Sequence, residues 1–161
     1  MKSPIAEDKV LFFDDEKCTG CRYCESACSL HHHCQLSFNL SNITISSKIV
    51  FKQGEESTHL VFSAALCIHC DPAPCQIVCP SGAIQKEANG RVFLNELMCI
   101  GCRSCTFACS LSIAWFHPET HLSYKCDLCD GDPQCVDVCS VEAIRFLPRT
   151  EVLRIMENIR V

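Results

Sequence analysis

Apolar and polar side chains alternate along this chain only over short distances. Val10–Phe13, Ile43–Phe51, Leu60–Phe62 and Ala143–Leu147 read as strands. Residues 83–94, AIQKEANGRVFL, read as strand, Asn89-Gly90 turn and strand, which is a hairpin. Helical turns are expected near Glu25–His31 and Thr106–Ser112. The tail, EVLRIMENIRV, places Val152, Ile155, Met156 and Ile159 on one helical face. That face is read first as a cover for the protein's own core and second as a docking surface. The longest nearly apolar stretch, Val61–Ile68, has eight residues, whereas a membrane helix needs about 20. The first residues, MKSPIAEDKV, carry no apolar stretch and no twin arginine, so no secretion signal is read. A cytoplasmic location without a membrane anchor is the resulting expectation.

Composition changes this picture. The chain has 161 residues and 17 cysteines, far above ordinary usage. Apolar residues make up 48% by a count that includes the cysteines, so the supply for an unaided core is thin. Metal centres are expected to replace part of that interior. A net charge of −5 argues against a nucleic-acid partner.

Sixteen of the cysteines fall into four runs. Cys18, Cys21, Cys24 and Cys28 are spaced C-x2-C-x2-C-x3-C, and Cys99, Cys102, Cys105 and Cys109 repeat that spacing. Cys67, Cys70, Cys75 and Cys79 follow C-x2-C-x4-C-x3-C. Cys126, Cys129, Cys135 and Cys139 follow C-x2-C-x5-C-x3-C. Three cysteines on a tight loop reach three corners of one cubane, while backbone N–H groups turn toward the sulfurs. The fourth sits on a short helix leading away and reaches a different cluster, as in two-cluster ferredoxins. Structural zinc prefers two separated C-x2-C pairs and has no use for the third cysteine. Disulfides fit worse, since neighbours three apart bridge poorly and the count is odd.

The runs form two repeats. CTGCRYCESACSL (18–30) matches CIGCRSCTFACSL (99–111), and CIHCDPAPCQIVCPSGAI (67–84) matches CDLCDGDPQCVDVCSVEAI (126–144). The 19 residues between Cys79 and Cys99 contain the hairpin that links the halves of a small ferredoxin. Runs two and three are therefore expected to form an inner unit, residues 67–109. Runs one and four form an outer unit, residues 1–34 and 110–161, and residues 35–66 form a β-rich insertion. The expected class is α+β, a duplicated bacterial-ferredoxin fold with one two-cluster unit inserted within another.

These motifs, over residues 10–147, resemble the four-cluster ferredoxin-like electron-transfer subunits of complex molybdenum and tungsten oxidoreductases. The string CTGCRYCESACSLHH looks most like the small iron–sulfur subunit of tungsten enzymes of the aldehyde oxidoreductase family. The resemblance implies four [4Fe-4S] clusters and their ligand sets. Cys18, Cys21 and Cys24 would share a cluster with Cys139, and Cys126, Cys129 and Cys135 with Cys28. Cys67, Cys70 and Cys75 would pair with Cys109, and Cys99, Cys102 and Cys105 with Cys79. It also implies a large catalytic subunit as partner, with a flavin subunit or ferredoxin as second redox partner. Sixteen thiolates for about sixteen irons leave no open coordination site, so the chain is expected to move electrons rather than transform a substrate. The alternatives are a free-standing polyferredoxin shuttle and a zinc-binding scaffold.

Several residues remain outside that scheme. His31, His32 and His33 are expected to be solvated or packing residues, because neighbours on a helix diverge. Cys34 is read as a spare buried thiol. His69 is either a donor that tunes a cluster, in a pH-dependent way, or an exposed loop residue. Trp115 and Phe116 read as core packing or cluster cover. Asp127, Asp130, Asp132 and Asp137 make the fourth run acidic against Lys125 alone. On that count its cluster is expected to have the lowest potential of the four.

Overall fold

The cysteine-poor segments make the strands, and the cysteine runs make the short helices. The computed structural model describes residues 8–51 and 58–159. Among these, four antiparallel two-stranded ribbons form. β1 (Lys9–Phe13) pairs with β8 (Ile144–Pro148), Leu11 opposite Phe146. β2 (Thr44–Phe51) pairs with β3 (Thr58–Ala65). β4 (Ile84–Lys86) pairs with β5 (Val92–Leu94) across the expected turn, where Gly90 has φ 85°. β6 (Trp115–Phe116) pairs with β7 (Ser123–Tyr124).

Two elements differ from expectation. The strand expected over Leu60–Phe62 runs from Thr58 to Ala65, because β2 offers a partner at every position from Phe51 back to Thr44. The helix expected near Thr106–Ser112 is instead α3 (Ser104–Ala108). It starts at Arg103, which is left-handed at φ 63°, and stops where Cys109 turns extended at φ −80°, ψ 107°. In run one, α1 (Tyr23–His33) likewise starts after a left-handed Arg22 but continues past Cys28. α2 (Pro74–Ile77) opens on a proline, whose missing N–H costs nothing at a first helical position. α4 (Gln134–Asp137) is its counterpart in run four, and α5 (Arg149–Ile159) closes the described chain.

Helix α1 packs on α4, and α2 packs on α3. Two cores follow. One joins Leu11, Ile43, Ile45, Leu66, Leu128 and Ile144 to Cys24, Cys28 and Cys135. The other joins Ala73, Ile84 and Val92 to Cys105, with Cys75 and Cys79 against it. A third cluster holds Val10, Phe12 and Val152, with Leu147 and Ile155. The tail face thus covers the protein's own β1–β8 ribbon, while Met156 is largely exposed. The Ile159 side chain lies outside the described residues. Among the described residues no helix is long and apolar enough to cross a membrane.

Candidate metal-cluster centres

Tight loops bring the thiols together. Gly20 and Gly101 occupy matching places in runs one and three, with φ 70° and 67°. A Cβ on Gly20 would stand 2.2 Å from the Phe62 ring, and one on Gly101 would stand 2.5 Å from the His121 carbonyl oxygen. Only glycine meets both demands. The following arginines stack on aromatic rings: Arg22 over Phe38 at 3.8 Å and Arg103 over Phe116 at 3.7 Å. Arg22 also pairs with Glu25, which is fully buried and accepts from the Ile45 N–H at 3.1 Å. Run one is thereby tied to the β2–β3 ribbon.

Three cavities are each ringed by four thiols. Cys18, Cys21, Cys24 and Cys139 line one, with Phe13, Ile45 and Ile144. Cys28, Cys126, Cys129 and Cys135 line a second, with Leu11, Ile43 and Leu128. Cys67, Cys70, Cys75 and Cys109 line a third, with His69, Val92 and Lys125. In the fourth group Cys79 packs with Cys105 and neighbours Cys102. All 17 cysteines are free thiols.

Burial pushes the Cys24 thiol up to about 12, with Glu25, Cys21 and Cys139 adding to the shift. Burial likewise raises Cys135, with Cys28 next in effect, and Cys126, with Cys67 next. Such thiols stay protonated unless a metal takes the place of the protons. The donor set fits a cluster. Among the described residues no carboxylate lines any of the three cavities. Backbone N–H groups approach sulfur at Gly20 to Cys18 (3.5 Å) and Asn42 to Cys28 (3.2 Å). Soft thiolates with N–H donors suit iron–sulfur centres.

Other residues depart from the sequence reading. Cys34 is exposed rather than buried. It is left-handed at φ 52° and closes α1 by donating its N–H to the Leu30 carbonyl at 3.0 Å, a position that faces water. The three histidines have separate surroundings. His31 is exposed. The His32 Nε2 stands 3.6 Å from the Cys129 sulfur and 3.4 Å from Asp127. The His33 ring lies 5.3 Å from that of His117 and 5.4 Å from that of Tyr124. His31, His32 and Cys129 bring one ligand atom each within 4.8 Å of one another, but Cys129 already belongs to the second cavity. Trp115 and Phe116 are half-buried in their ribbon, Phe116 beneath Arg103.

Two of the aspartates of run four, Asp127 and Asp130, are not bare charges. Asp127 accepts from the Cys129 N–H at 2.9 Å, and Arg91 clamps Asp127, Asp130 and Glu87. Arg91 Nε also donates to the Asp127 carbonyl at 2.6 Å. Lys125 is buried and donates to the carbonyls of Val92 and Cys126. His69 is buried, not an exposed loop residue. Its pKa is pushed down to about 2 by burial first, then by Lys125, Arg149 and Arg91. Nothing local in the sequence marks Arg91 or Arg149 as partners of the cysteine loops.

Four-thiol sites on short loop–helix turns between two-stranded ribbons define a ferredoxin-like iron–sulfur protein. Residues 58–149 match the 4Fe-4S dicluster domain, and residues 9–30 match a 4Fe-4S binding domain. The thiosulfate reductase electron transfer subunit PhsB of Salmonella typhi is 32% identical over 93% of this chain and 82% of its own length. The B subunit of the anaerobic dimethyl sulfoxide reductase of Haemophilus influenzae is 33% identical over 88% of this chain and 75% of its own length. The chain therefore belongs to the ferredoxin-like 4Fe-4S electron-transfer subunits of reductase complexes and is not itself catalytic. One polypeptide of the BamBC active site complex of benzoyl coenzyme A reductase covers 94% of this chain and 89% of itself. Its TM-score of 0.40 and 24% identity are too low to bear on function.

Proposed function

We propose that this chain carries four [4Fe-4S] clusters in single file, as the electron-transfer subunit of a molybdenum or tungsten pterin oxidoreductase. One end faces the large catalytic subunit. The other faces a second redox partner, a flavin subunit or a ferredoxin. The observation that carries the reading is the gathering of cysteines distant in sequence around common cavities.

The ligand sets are Cys18, Cys21, Cys24 with Cys139; Cys126, Cys129, Cys135 with Cys28; Cys67, Cys70, Cys75 with Cys109; and Cys99, Cys102, Cys105 with Cys79. Shared neighbours support their order. Cys24, Cys28 and Cys135 share one core, which joins the first two sets. Cys126 lies close enough to Cys67 for a thiolate at one to disfavour a thiolate at the other, which joins the next pair. Cys75, Cys79 and Cys105 share the second core, which joins the last. The α1–α4 and β1–β8 contacts support runs one and four as the outer unit, and the α2–α3 and β4–β5 contacts support residues 67–109 as the inner one.

A [4Fe-4S] cluster bound by four thiolates supplies reversible one-electron chemistry. The chain's residues hold the thiols, keep water out and set the surroundings. Of the sixteen cysteines only Cys21 and Cys102 are exposed, and they belong to the two ends of the file. Exposed Leu97, Ile100 and Phe107 flank the Cys102 loop, and exposed Tyr23 follows Cys21, the kind of apolar surface that a partner covers. The test is anaerobic isolation of the tagged chain from its native cells, with metal analysis and identification of co-purifying chains. A large chain carrying molybdenum or tungsten in about equal amount is expected. Isolation of the chain alone in redox-active form would make it a free-standing shuttle.

A further inference from the structure

One side chain in the third cavity has a donor without an acceptor. His69 is 1% exposed and lines the cavity of Cys67, Cys70, Cys75 and Cys109. Its Nδ1 accepts the Val92 N–H at 2.9 Å. An accepting ring nitrogen carries no proton, so the neutral ring bears its proton on Nε2. That Nε2 is buried and finds no hydrogen-bond partner among the described residues. Buried donors are rarely left unmet, because the lost hydration has no compensation.

The loop is fixed, so the ring cannot easily turn to water. His69 is left-handed at φ 48°. Arg149 donates to the carbonyls of Ile68 and His69 at 3.2 and 2.8 Å, and is itself held by Asp8 at 2.8 Å. Val92 is held from its other side by Lys125. The cavity is otherwise lined mainly by thiols and apolar groups. Sulfur is the acceptor that this site would supply once its four thiolates hold a cluster.

Resting on the ligand set proposed above, we infer that His69 Nε2–H donates a hydrogen bond to a sulfur of the cluster held by Cys67, Cys70, Cys75 and Cys109, and that this donor raises the potential of that cluster. Reduction adds negative charge to the sulfurs, and a fixed donor stabilises the reduced form more than the oxidised one.

Two substitutions separate tuning from simple packing in the anaerobic holoprotein. In His69→Asn, the side-chain oxygen takes the place of Nδ1, keeps the Val92 bond and tolerates the left-handed backbone, but no donor reaches as far as Nε2. In His69→Gln, an amide N–H reaches the place of Nε2 while the Val92 bond is lost. Redox titration followed by electron paramagnetic resonance is expected to show one signal moved to lower potential in H69N and left near its wild-type position in H69Q. A packing role alone gives the reverse order and overturns the inference. Four intact signals, none displaced in H69N, overturn it as well and leave the ligand set standing. A wild-type protein without a cluster at these four thiols overturns both. If neither variant folds, pulsed resonance on wild type labelled with a heavy nitrogen isotope in histidine decides. Coupling to a histidine nitrogen is expected at this cluster, and its absence overturns the inference.

Discussion

At the scale of single residues, the close approaches carry most of the specificity. Gly20 and Gly82 both have positive φ, 70° and 65°, but their surroundings differ. A Cβ on Gly20 meets the Phe62 ring at 2.2 Å, whereas one on Gly82 meets only the Met98 methyl at 3.8 Å. Gly82→Ala is expected to cost about 1 kcal/mol of backbone strain. Gly20→Ala adds displacement of the ring and is expected to cost about 1–3 kcal/mol more, by analogy with core overpacking. Anaerobic urea unfolding of the two holo variants checks this, and an equal loss in both would show that the Phe62 contact yields freely. The cysteine spacing makes the thiol groups legible, but not what surrounds them. The acidic count of run four suggests an unusually low potential, yet Arg91, 36 residues before Asp127, clamps two of those aspartates. Charge counted along a sequence misses counter-charge supplied from another loop. Cys34 departs from its expected burial for a similar reason, because exposure there depends on where α1 ends.

At the scale of elements, the hairpin at Asn89-Gly90, three of the four main strands and the tail helix are readable, since each follows its own periodicity, while β3 is readable in place but not in length, which its pairing with β2 sets. The β6–β7 ribbon is not, because two-residue strands carry no period. The end of α3 is hidden because Cys109 is extended, which propensity alone does not dictate. The packing of α1 on α4 gives the clearest consequence at this scale. Cys28 leaves run one on α1 and lines the cavity of Cys126, Cys129 and Cys135, not that of Cys18, Cys21 and Cys24. Cys28→Ala is therefore expected to alter the cluster at run four and spare that at run one. A structure of the anaerobic holo variant reads the outcome, and damage confined to the Cys18, Cys21, Cys24 site would refute the crossed arrangement.

At the scale of the whole molecule, the cysteines are part of the interior. Cys24, Cys28 and Cys135 sit within one core, and Cys105 within the other. Without a cluster these cores would enclose grouped, buried thiols in place of packed side chains. Cluster binding is then folding energy, and the apo-chain is expected to be largely unfolded. Circular dichroism after complete cluster removal tests this, and a cooperative melt resembling that of the holoprotein would contradict it. We propose that sixteen thiols form four complete cluster sites. The most direct test is iron and acid-labile sulfide analysis of the anaerobically reconstituted chain, joined to a reductive titration. About sixteen irons, about sixteen sulfides and about four electrons taken up per chain are expected. A saturated protein holding about half of these, or zinc without sulfide, would contradict it.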